Sequence, residues 1–326
     1  MEQDVYDDAP ALSNGNGLSC LFSKGAEMSK PVILIKGATG QQGGATIREM
    51  QRRGHWRLRA LVRDLKAPKA VALAKHGVEL VHGDLEDEHS LRVALDKAEG
   101  VLSVQSPMKI GAAGEERQGK RLASLAKESG VRHFVQCSAG GVERRSGVPH
   151  FESKWAIEQH IDVLRLPATT LRPAAFMENF SSMIFRITML SMMKTYPRPD
   201  QVMQLVSVQD VAWFATEAFE KPDRYLGRAI ELAGDTVRAR SAASILRSAG
   251  IRPSRSFTIP SVMRARLPED FRLMFEWIAR DGFRADILAL RCENLGMLTL
   301  EDWALKRSKD NRRRRASSAI GSVNNA

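Results

Sequence analysis

The stretch "ILIKGATGQQGG" at residues 33–44 constrains the fold of this chain more than any other. It joins a short apolar run to three glycines, Gly37, Gly40 and Gly43, spaced three residues apart. A buried strand that ends in a glycine-rich turn and leads into a helix forms a cradle for phosphate, because N–H groups at the helix start point at the anion. The stretch therefore predicts a strand, a turn and a helix that hold a phosphate-bearing ligand.

Strand and helix patterns alternate as far as residue 137. Apolar runs typical of strands buried on both faces lie at 31–36, 58–62, 78–81, 100–104 and 133–137. Amphipathic segments typical of helices lie near 42–53, 67–76, 88–97 and 114–129. This alternation with short connections predicts an α/β fold, a doubly wound parallel sheet of the Rossmann type with helices on both faces.

The pattern changes after residue 172. A helix is predicted at 207–220, with Ser207 as its N-cap, and a strand at 228–234. Most of the remaining sequence to 305 is typical of helices, so we expect a smaller, mainly helical part interleaved with the first domain. The predicted domains are a Rossmann domain at 30–172, to which 206–234 returns, and a substrate or partner domain at 173–305.

Both ends of the chain have the composition of disordered tails. Residues 1–29 begin acidic and lack the positive start and long apolar segment of a secretory signal. Residues 306–326 are basic and lack apolar periodicity. The four arginines at 312–315 are either a solvated charged run or a nuclear address.

Composition narrows the class of protein. The formal net charge of +11 suits either nucleic acid or a polyphosphate cofactor as partner. Direct nucleic-acid binding is not predicted, because the chain has no zinc-finger spacing and no aromatic-plus-basic RNA motif. No run approaches the roughly 18 apolar residues of a membrane span. The three scattered cysteines have no metal-ligand spacing and fit a reducing compartment, so we expect a cytoplasmic protein without a metal site.

Within this fold, the glycine motif predicts a nicotinamide dinucleotide. Gly37 would end the first strand, Gly40 would let the backbone approach the pyrophosphate, and Gly43 would let the helix pack closely on the strand. The residues between these glycines, Thr39, Gln41 and Gln42, are predicted to contact the same cofactor.

The turn after the second strand distinguishes NADP from NAD. Sites that prefer NAD place an acid about 20 residues past the glycines, on the ribose diol. Here Arg63 occupies the turn, with Lys66 and Lys69 close behind, and these cations suit a 2′-phosphate. Asp64 is an acid in the same turn, and all four charges could be merely solvated. The excess of cations favours NADP(H).

Two further strand ends are predicted to contact the cofactor. Asp84 and Leu85 follow the third strand, where the adenine would lie. Gln105, Ser106 and Pro107 follow the fourth strand, at the edge where such sheets bind their ligands.

Six stretches of the sequence together resemble the NmrA-like branch of the atypical short-chain dehydrogenases. They are "GATGQQGG", "LVRD", "GDLED", "LRPAAFMENF", "MFEWIARDGFRADILALR" and "LTLEDWA", and the resemblance runs from about residue 31 to 306. The family contains NADP-binding quinone or ketone reductases and also redox-sensing regulators that bind the dinucleotide. Fold alone does not choose between these two activities.

The resemblance implies a catalytic arrangement from which this chain departs. Active short-chain dehydrogenases carry a serine near strand five and a Tyr-x-x-x-Lys on the next helix, where the tyrosine is the proton donor. Ser138 and Lys154 match the serine and the lysine, but four residues before Lys154 stands His150. The candidate catalytic residues are therefore Lys154, His150 and Ser138. Alternatively, Lys154 only contacts the cofactor ribose, His150 is only a loop residue, and Ser138 only shapes its turn.

The segment "RPAAFMENF" is predicted to line the nicotinamide end. Pro173 would break the strand, and Phe176, Met177 and Asn179 would face the ring or the substrate. The methionines that follow would form either an adaptable apolar wall for a flat substrate or ordinary core packing. They are Met183, Met189, Met192 and Met193.

The sequence thus predicts an NADPH-dependent oxidoreductase that transfers hydride to a small carbonyl or quinone. The alternative is a non-catalytic NADP(H) sensor that acts through a regulatory protein partner.

Overall fold

The computed structural model describes residues 30–108, 110–196 and 202–323, with side chains up to residue 312. The predicted N-terminal tail at 1–29 lies outside the described residues. None of the helices in these ranges is long and apolar enough to cross a membrane.

The main sheet confirms the predicted doubly wound architecture. The strands are β1 (Val32–Lys36), β2 (Arg57–Val62), β3 (Glu79–His82), β4 (Ala98–Val104), β5 (His133–Cys137), β6 (Ala168–Pro173), β7 (Ala175–Phe176), β8 (Met203–Val206), β9 (Ala229–Leu232) and β10 (Asp235–Val237). Seven of them form a sheet in the order β3-β2-β1-β4-β5-β6-β9, and every neighbouring pair in it is parallel. The chain therefore winds outward from β1 in one direction and from β4 in the other.

Helices cover both faces of this sheet. They are α1 (Gln41–Arg53), α2 (Pro68–Lys75), α3 (Glu88–Leu95), α4 (Gly111–Glu128), α5 (Pro149–Val163), α6 (Met183–Thr195), α7 (Val208–Glu220), α8 (Pro222–Tyr225), α9 (Ala239–Ser248), α10 (Ser261–Arg264), α11 (Glu269–Arg280), α12 (Ile287–Glu293) and α13 (Leu300–Val323). Two short 3-10 turns lie at Val142–Arg144 and Met177–Ser181. The first four helices and α7 match their predicted positions, and Ser207 caps α7 by accepting the N–H of Gln209.

One strand differs from its prediction. β3 is not buried on both faces, because Glu79 and His82 are exposed and the residues between them are half-buried. The reason is its position at the edge of the sheet, where only β2 pairs with it. Its apolar centre alone could not reveal that position.

The later part of the chain interleaves with the first. β9 returns to the main sheet beside β6, within the segment predicted to do so. β7, β8 and β10 form a separate three-stranded sheet. A second hydrophobic core lies among the later elements and includes Phe180, Leu205, Leu246 and Trp277. The exact division into domains stays a prediction.

The C-terminal prediction of a disordered tail from residue 306 is wrong for the described part. α13 continues through that point to Val323. Leu300, Trp303 and Ala304 anchor its first turns, since all three are buried in the second core. The anchor lies just before the basic run, and lysine, arginine and alanine then continue a helix well. The charged sequence after residue 306 therefore gives no sign of the helix, because the apolar contacts that anchor it lie in its first turns.

Two carboxylates, the half-buried Glu178 and the buried Asp210, hold the start of α7 against this C-terminal region. Glu178 accepts hydrogen bonds from the Val208 N–H at 3.1 Å and from Nε1 of Trp303 at 3.0 Å. Asp210 accepts the Leu298 N–H at 3.2 Å. Burial raises the pKa of Asp210 to about 7, the nearby charge of Glu178 adds to the rise, and the Leu298 hydrogen bond opposes it.

The raised pKa of Asp210 predicts that stability falls as pH rises. The folded chain keeps a proton on this carboxyl up to about pH 7, whereas an ordinary aspartate releases it near 3.8. The free energy of unfolding should therefore decline between these values, and Asp210→Asn should remove on the order of 1–3 kcal/mol of that decline. Thermal melts from pH 5 to pH 8 measure it. Asp223→Asn, at an exposed position in α8, is the control, and equal profiles for the wild type and Asp210→Asn would contradict the prediction.

Candidate functional site

The predicted glycine cradle lies at the point where the sheet changes direction, between β1 and β4. Gly37 follows β1 with φ of +85°, a conformation that favours glycine, and a Cβ there would lie 2.9 Å from Cβ of Val104 at the end of β4. The Gly40 N–H donates to the Gly37 carbonyl at 2.9 Å and closes the turn. Ligands of doubly wound sheets bind at this crevice.

Helix α1 begins directly on this turn. A Cβ at Gly43 would lie 2.3 Å from the carbonyl oxygen of Gly37, so only glycine permits this approach. A Cβ at Gly40 would lie 3.1 Å from the same oxygen. The first N–H groups of a helix have no acceptor within it, and the first turn of α1 contains no acid that would repel an anion. The turn can therefore hold a phosphate.

Gln42 brings a buried hydrogen-bond acceptor to the glycine loop. Its Oε1 atom is buried and has no hydrogen-bond partner within the described residues. Buried acceptors are nearly always satisfied in folded proteins. A hydroxyl or amide of a bound group would satisfy this one.

The cationic turn after β2 lies against the glycine loop. Nζ of Lys69 reaches the Thr39 carbonyl at 3.5 Å, and Arg63 is close enough to affect the pKa of Lys36 at the end of β1. Asp64 uses its carboxylate within the turn, where Oδ1 accepts the Lys66 N–H at 2.8 Å. The acid therefore shapes the loop, while the cations remain at its surface.

The two residues predicted near the adenine have structural partners. The Leu85 side chain is buried in the core beside Leu61 and Leu91. The Asp84 carboxylate accepts the Glu86 N–H at 3.0 Å and shapes the turn after β3. Because the Leu85 side chain packs inward, only the backbone atoms of that residue can contact a ligand. The sequence alone does not show in which direction this side chain packs.

The end of β4 carries a buried polar network. Nε2 of Gln105 donates to Oγ of Ser103 at 2.8 Å, and Nε2 of Gln136 on β5 lies 3.4 Å from Oε1 of Gln105. Ser106 and Pro107 follow in the loop that leads to α4. The buried Gln105 therefore supports this edge from directly after β4, while its two successors lie in the loop.

Lys154 belongs to a buried charge cluster that the sequence did not reveal in full. Its Nζ donates to Oε1 of Glu115 at 2.8 Å, and Oγ of Ser153 donates to Oε2 of the same glutamate at 2.6 Å. Glu115 is fully buried on α4. Its sequence signal is its spacing of seven from Leu122, which puts the acid on the buried face of that helix.

Lys36 completes this cluster from the end of β1. Its Nζ donates to the Val104 carbonyl at 2.6 Å. Burial lowers its pKa to about 8, with the charges of Lys154 and Arg63 acting in the same direction and Glu115 in the other. The glycine loop, β4 and α5 therefore meet around one buried group of charges.

His150, in the position of the missing tyrosine, is paired with an acid from another helix. Its Nδ1 lies 2.7 Å from Oδ1 of Asp270 on α11, and its backbone N–H donates to the same oxygen at 3.1 Å. A carboxylate at Nδ1 fixes the imidazole tautomer and leaves Nε2 as the exchangeable position. Asp270 was not predicted, because it lies 120 residues away in sequence.

Ser138 is bonded within the protein. Its hydroxyl donates to Glu158, which also receives Nη2 of Arg172 at 2.6 Å. Ser138 is buried, and burial raises the pKa of Glu158. This hydroxyl therefore links the end of β5 to Glu158 and Arg172, and the catalytic role of Ser138 stays a prediction.

The segment after β6 divides between site and core. Pro173 ends β6, and Phe176 packs beside Ala45 of α1. Asn179 is half-buried in the turn that follows. Met177, expected to face the ring, is instead fully buried in the second core.

The methionines after this segment mostly serve the core. Met189 and Met192 are buried in the second core, and Met193 packs against it. Met183, at the start of α6, is 54% exposed. The alternative of core packing therefore holds for the later methionines.

The Glu115–Lys154 pair predicts a large effect of a small change. Glu115→Gln leaves Lys154 buried without its counter-charge, which should lower the free energy of unfolding by on the order of 3 kcal/mol. Glu116→Gln, at the neighbouring half-exposed glutamate that pairs with Lys120, should cost less than about 1 kcal/mol. Urea denaturation of both variants measures the difference. Equal losses would show that the buried pair carries no special weight.

Solved structures with this fold include both an enzyme and a regulator. The triphenylmethane reductase of Citrobacter sp., complexed with NADP(H), is 20% identical with a TM-score of 0.70, over 85% of this chain and 99% of that one. NmrA, a negative transcriptional regulator in complex with NADP, is 22% identical with a TM-score of 0.69, over 88% of this chain and 98% of that one. At these low identities the structural likeness shows a shared fold alone.

Curated relatives match over part of their length. The photosystem II assembly factor Ycf39 of Trieres chinensis is 26% identical over 59% of this chain and 60% of its own length. The NAD(P)H azoreductase of Xenophilus azovorans is 28% identical over 59% of this chain and 64% of its own length. The chain thus spans less than two thirds of either protein. A family model matches residues 29–280, and the chain belongs to the NmrA-like family.

Proposed function

We propose that the chain binds NADP(H) across the glycine loop and transfers hydride to a small carbonyl or quinone. The observation that carries this proposal is the pairing of His150 with Asp270, one helical turn from Lys154, on a helix that shares a buried charge cluster with the end of β1. A tyrosine is absent from this position, but an imidazole held by a carboxylate is also a general acid that enzymes use.

The residues of the cradle fit a dinucleotide. Gly37 and Gly43 keep the turn free of side chains, and α1 directs its first N–H groups toward it. Oε1 of Gln42 is a buried acceptor that a hydroxyl or amide of the ligand would satisfy. Arg63 and Lys66 offer cations at the turn where an adenosine 2′-phosphate would lie. The two cations support NADP(H) over NAD(H), because only NADP(H) carries the 2′-phosphate.

When bound, the nicotinamide would supply a hydride to the electrophilic carbon of the substrate. The chain would supply orientation and one proton. Lys154, held in place by Glu115, is suited to donate a hydrogen bond to a ribose hydroxyl. His150, held through Nδ1 by Asp270, is suited to protonate the substrate oxygen through Nε2. A quinone needs less of this help, because its reduced oxygens are stabilised by aromatisation.

A second function is favoured by a specific observation. The hydroxyl of Ser138 is bonded to Glu158, the amine of Lys154 to Glu115 and the imidazole of His150 to Asp270, so all three catalytic candidates have protein partners. Such a site could bind the dinucleotide without turnover and report its presence to a regulatory protein. The NADP complex of a transcriptional regulator with the same fold agrees with this alternative.

Turnover separates the two functions. We expect steady-state oxidation of NADPH with members of a panel of quinones, aldehydes and ketones. His150→Gln should reduce ketone turnover about 100-fold and quinone turnover less, because general acid catalysis matters more for the ketone. His89→Gln, at an exposed histidine on α3, is the control. Tight binding of NADPH with no turnover of any substrate would favour the sensor.

Cofactor preference has its own prediction. Arg63→Ala should weaken NADPH binding by on the order of 1.5–3 kcal/mol and leave NADH binding unchanged, because only NADPH carries the 2′-phosphate. Lys75→Ala, at an exposed cation at the end of the following helix, serves as the matched control. Calorimetric titration with both cofactors measures the change. Equal losses for the two cofactors would mean that Arg63 has a structural role.

A further inference from the structure

A cavity of about 510 Å³ lies beside the first part of α13 and includes no residue of the glycine loop. It is bounded by the end of the turn at Met177–Ser181, by α6, by the end of α9 and by α13. Its lining residues are Ser181, Arg186, Ser248, Ala249, Gly250, Ile251, Arg252, Leu305, Arg307, Ser308, Asn311 and Arg312. Four of these are arginines and none is an acid.

Arg186 is the most unusual of the four. It is 4% exposed and pairs with no carboxylate in the described part of the chain. Its guanidinium donates to three carbonyl oxygens, those of Phe180 at 2.7 Å and of Arg252 and Pro253 at 2.9 Å each. Burial lowers its pKa. A buried cation held only by neutral oxygens is costly, and a nearby anion would stabilise it.

The other three arginines are free to bind. Arg252, Arg307 and Arg312 are exposed, and none forms an ion pair with any residue whose side chain the structure describes. Arg307 and Arg312 belong to the basic run at the chain's end, which folds as part of α13. The helix thus brings these two guanidinium groups to the same cavity as Arg252 and Arg186.

A neutral donor faces the same space. Oγ of Ser181 is buried and has no hydrogen-bond partner among the described residues. The carbonyl groups at the end of α9 would repel an anion, but those of residues 245, 246 and 247 already accept the N–H groups of Ala249, Ile251 and Gly250. The negative end of that helix is therefore largely neutralised.

We propose that this cavity is a second binding site, specific for a small organic anion that carries phosphate groups. Its volume falls within the several hundred cubic ångströms typical of metabolite sites. Arginine forks match phosphate oxygens in pairs, and the forks of Arg252, Arg307 and Arg312 around one cavity suit more than one phosphate group, with the buried charge of Arg186 behind them. The volume of about 510 Å³ suits a small molecule. The proposal does not depend on the function assigned to the glycine loop.

Calorimetric titration of the full chain with inorganic pyrophosphate tests the site. Gly40→Val, which places a side chain at the mouth of the glycine loop, serves as the background so that only the second site is measured. We expect binding at one site in this background. Adding Arg252→Ala and Arg307→Ala should weaken it at least about tenfold, since two charge-assisted contacts are lost. Adding Arg240→Ala, at an exposed arginine on α9 outside the cavity, should leave it unchanged.

Absence of pyrophosphate binding in the Gly40→Val background, or equal affinity with and without Arg252 and Arg307, would overturn the proposal. Arg186 is left intact because its three carbonyl contacts make a folding defect the expected result of replacing it. Should Gly40→Val not fold in thermal melts, the otherwise wild-type chain gives the second measurement, in which Arg252→Ala with Arg307→Ala must remove one binding site. Failure of NADPH to bind the wild type would bear only on the glycine loop.

Discussion

The close approach of helix α1 to the turn after β1 is the constraint on which the rest of the site depends. At Gly43 the helix lies so near the Gly37 carbonyl that a single methyl group would overlap it. Gly37 in turn leaves no room for a side chain against Val104 of β4. These contacts fix the start of the helix over the crevice between the two central strands. The direction of its free N–H groups follows from this packing, and so does the kind of ligand that the crevice can hold.

Much of the fold was predictable because it is written in local patterns. Five strands and four helices of the first half follow from apolar periodicity. Ser207 marks the start of α7, because its hydroxyl accepts the N–H of Gln209 as an N-cap. Edge position and inward packing are not local properties. The half-exposed strand β3 and the buried Leu85 both depend on which neighbours the sheet supplies. The helix beyond residue 306 was missed for a related reason, since its stabilising contacts precede the charged run.

The site was predictable residue by residue only in part, because its chemistry depends on partners from distant segments. The spacing of Lys154 and His150 on one helix is local and was correctly identified. Their carboxylates, Glu115 and Asp270, come from α4 and α11, and no short motif contains both members of either pair. A buried face that carries a glutamate among leucines is a weak signal of such a partner. Ser138 shows a related case, in which the predicted residue donates its hydroxyl to Glu158, a partner 20 residues away that the local motif does not contain.

The two charge pairs also bear on the choice between enzyme and sensor. A buried ion pair is rarely retained for stability, because desolvation of both charges offsets most of their attraction. The Glu115–Lys154 pair is therefore better understood as a device that holds an amine at a fixed place beside the crevice. The pair of His150 and Asp270 is less buried, with 18% of the imidazole side chain exposed, so this side chain is accessible from the solvent. A sensor needs the first pair to bind the dinucleotide but has no use for the second. The presence of both in one helical turn favours chemistry over binding alone.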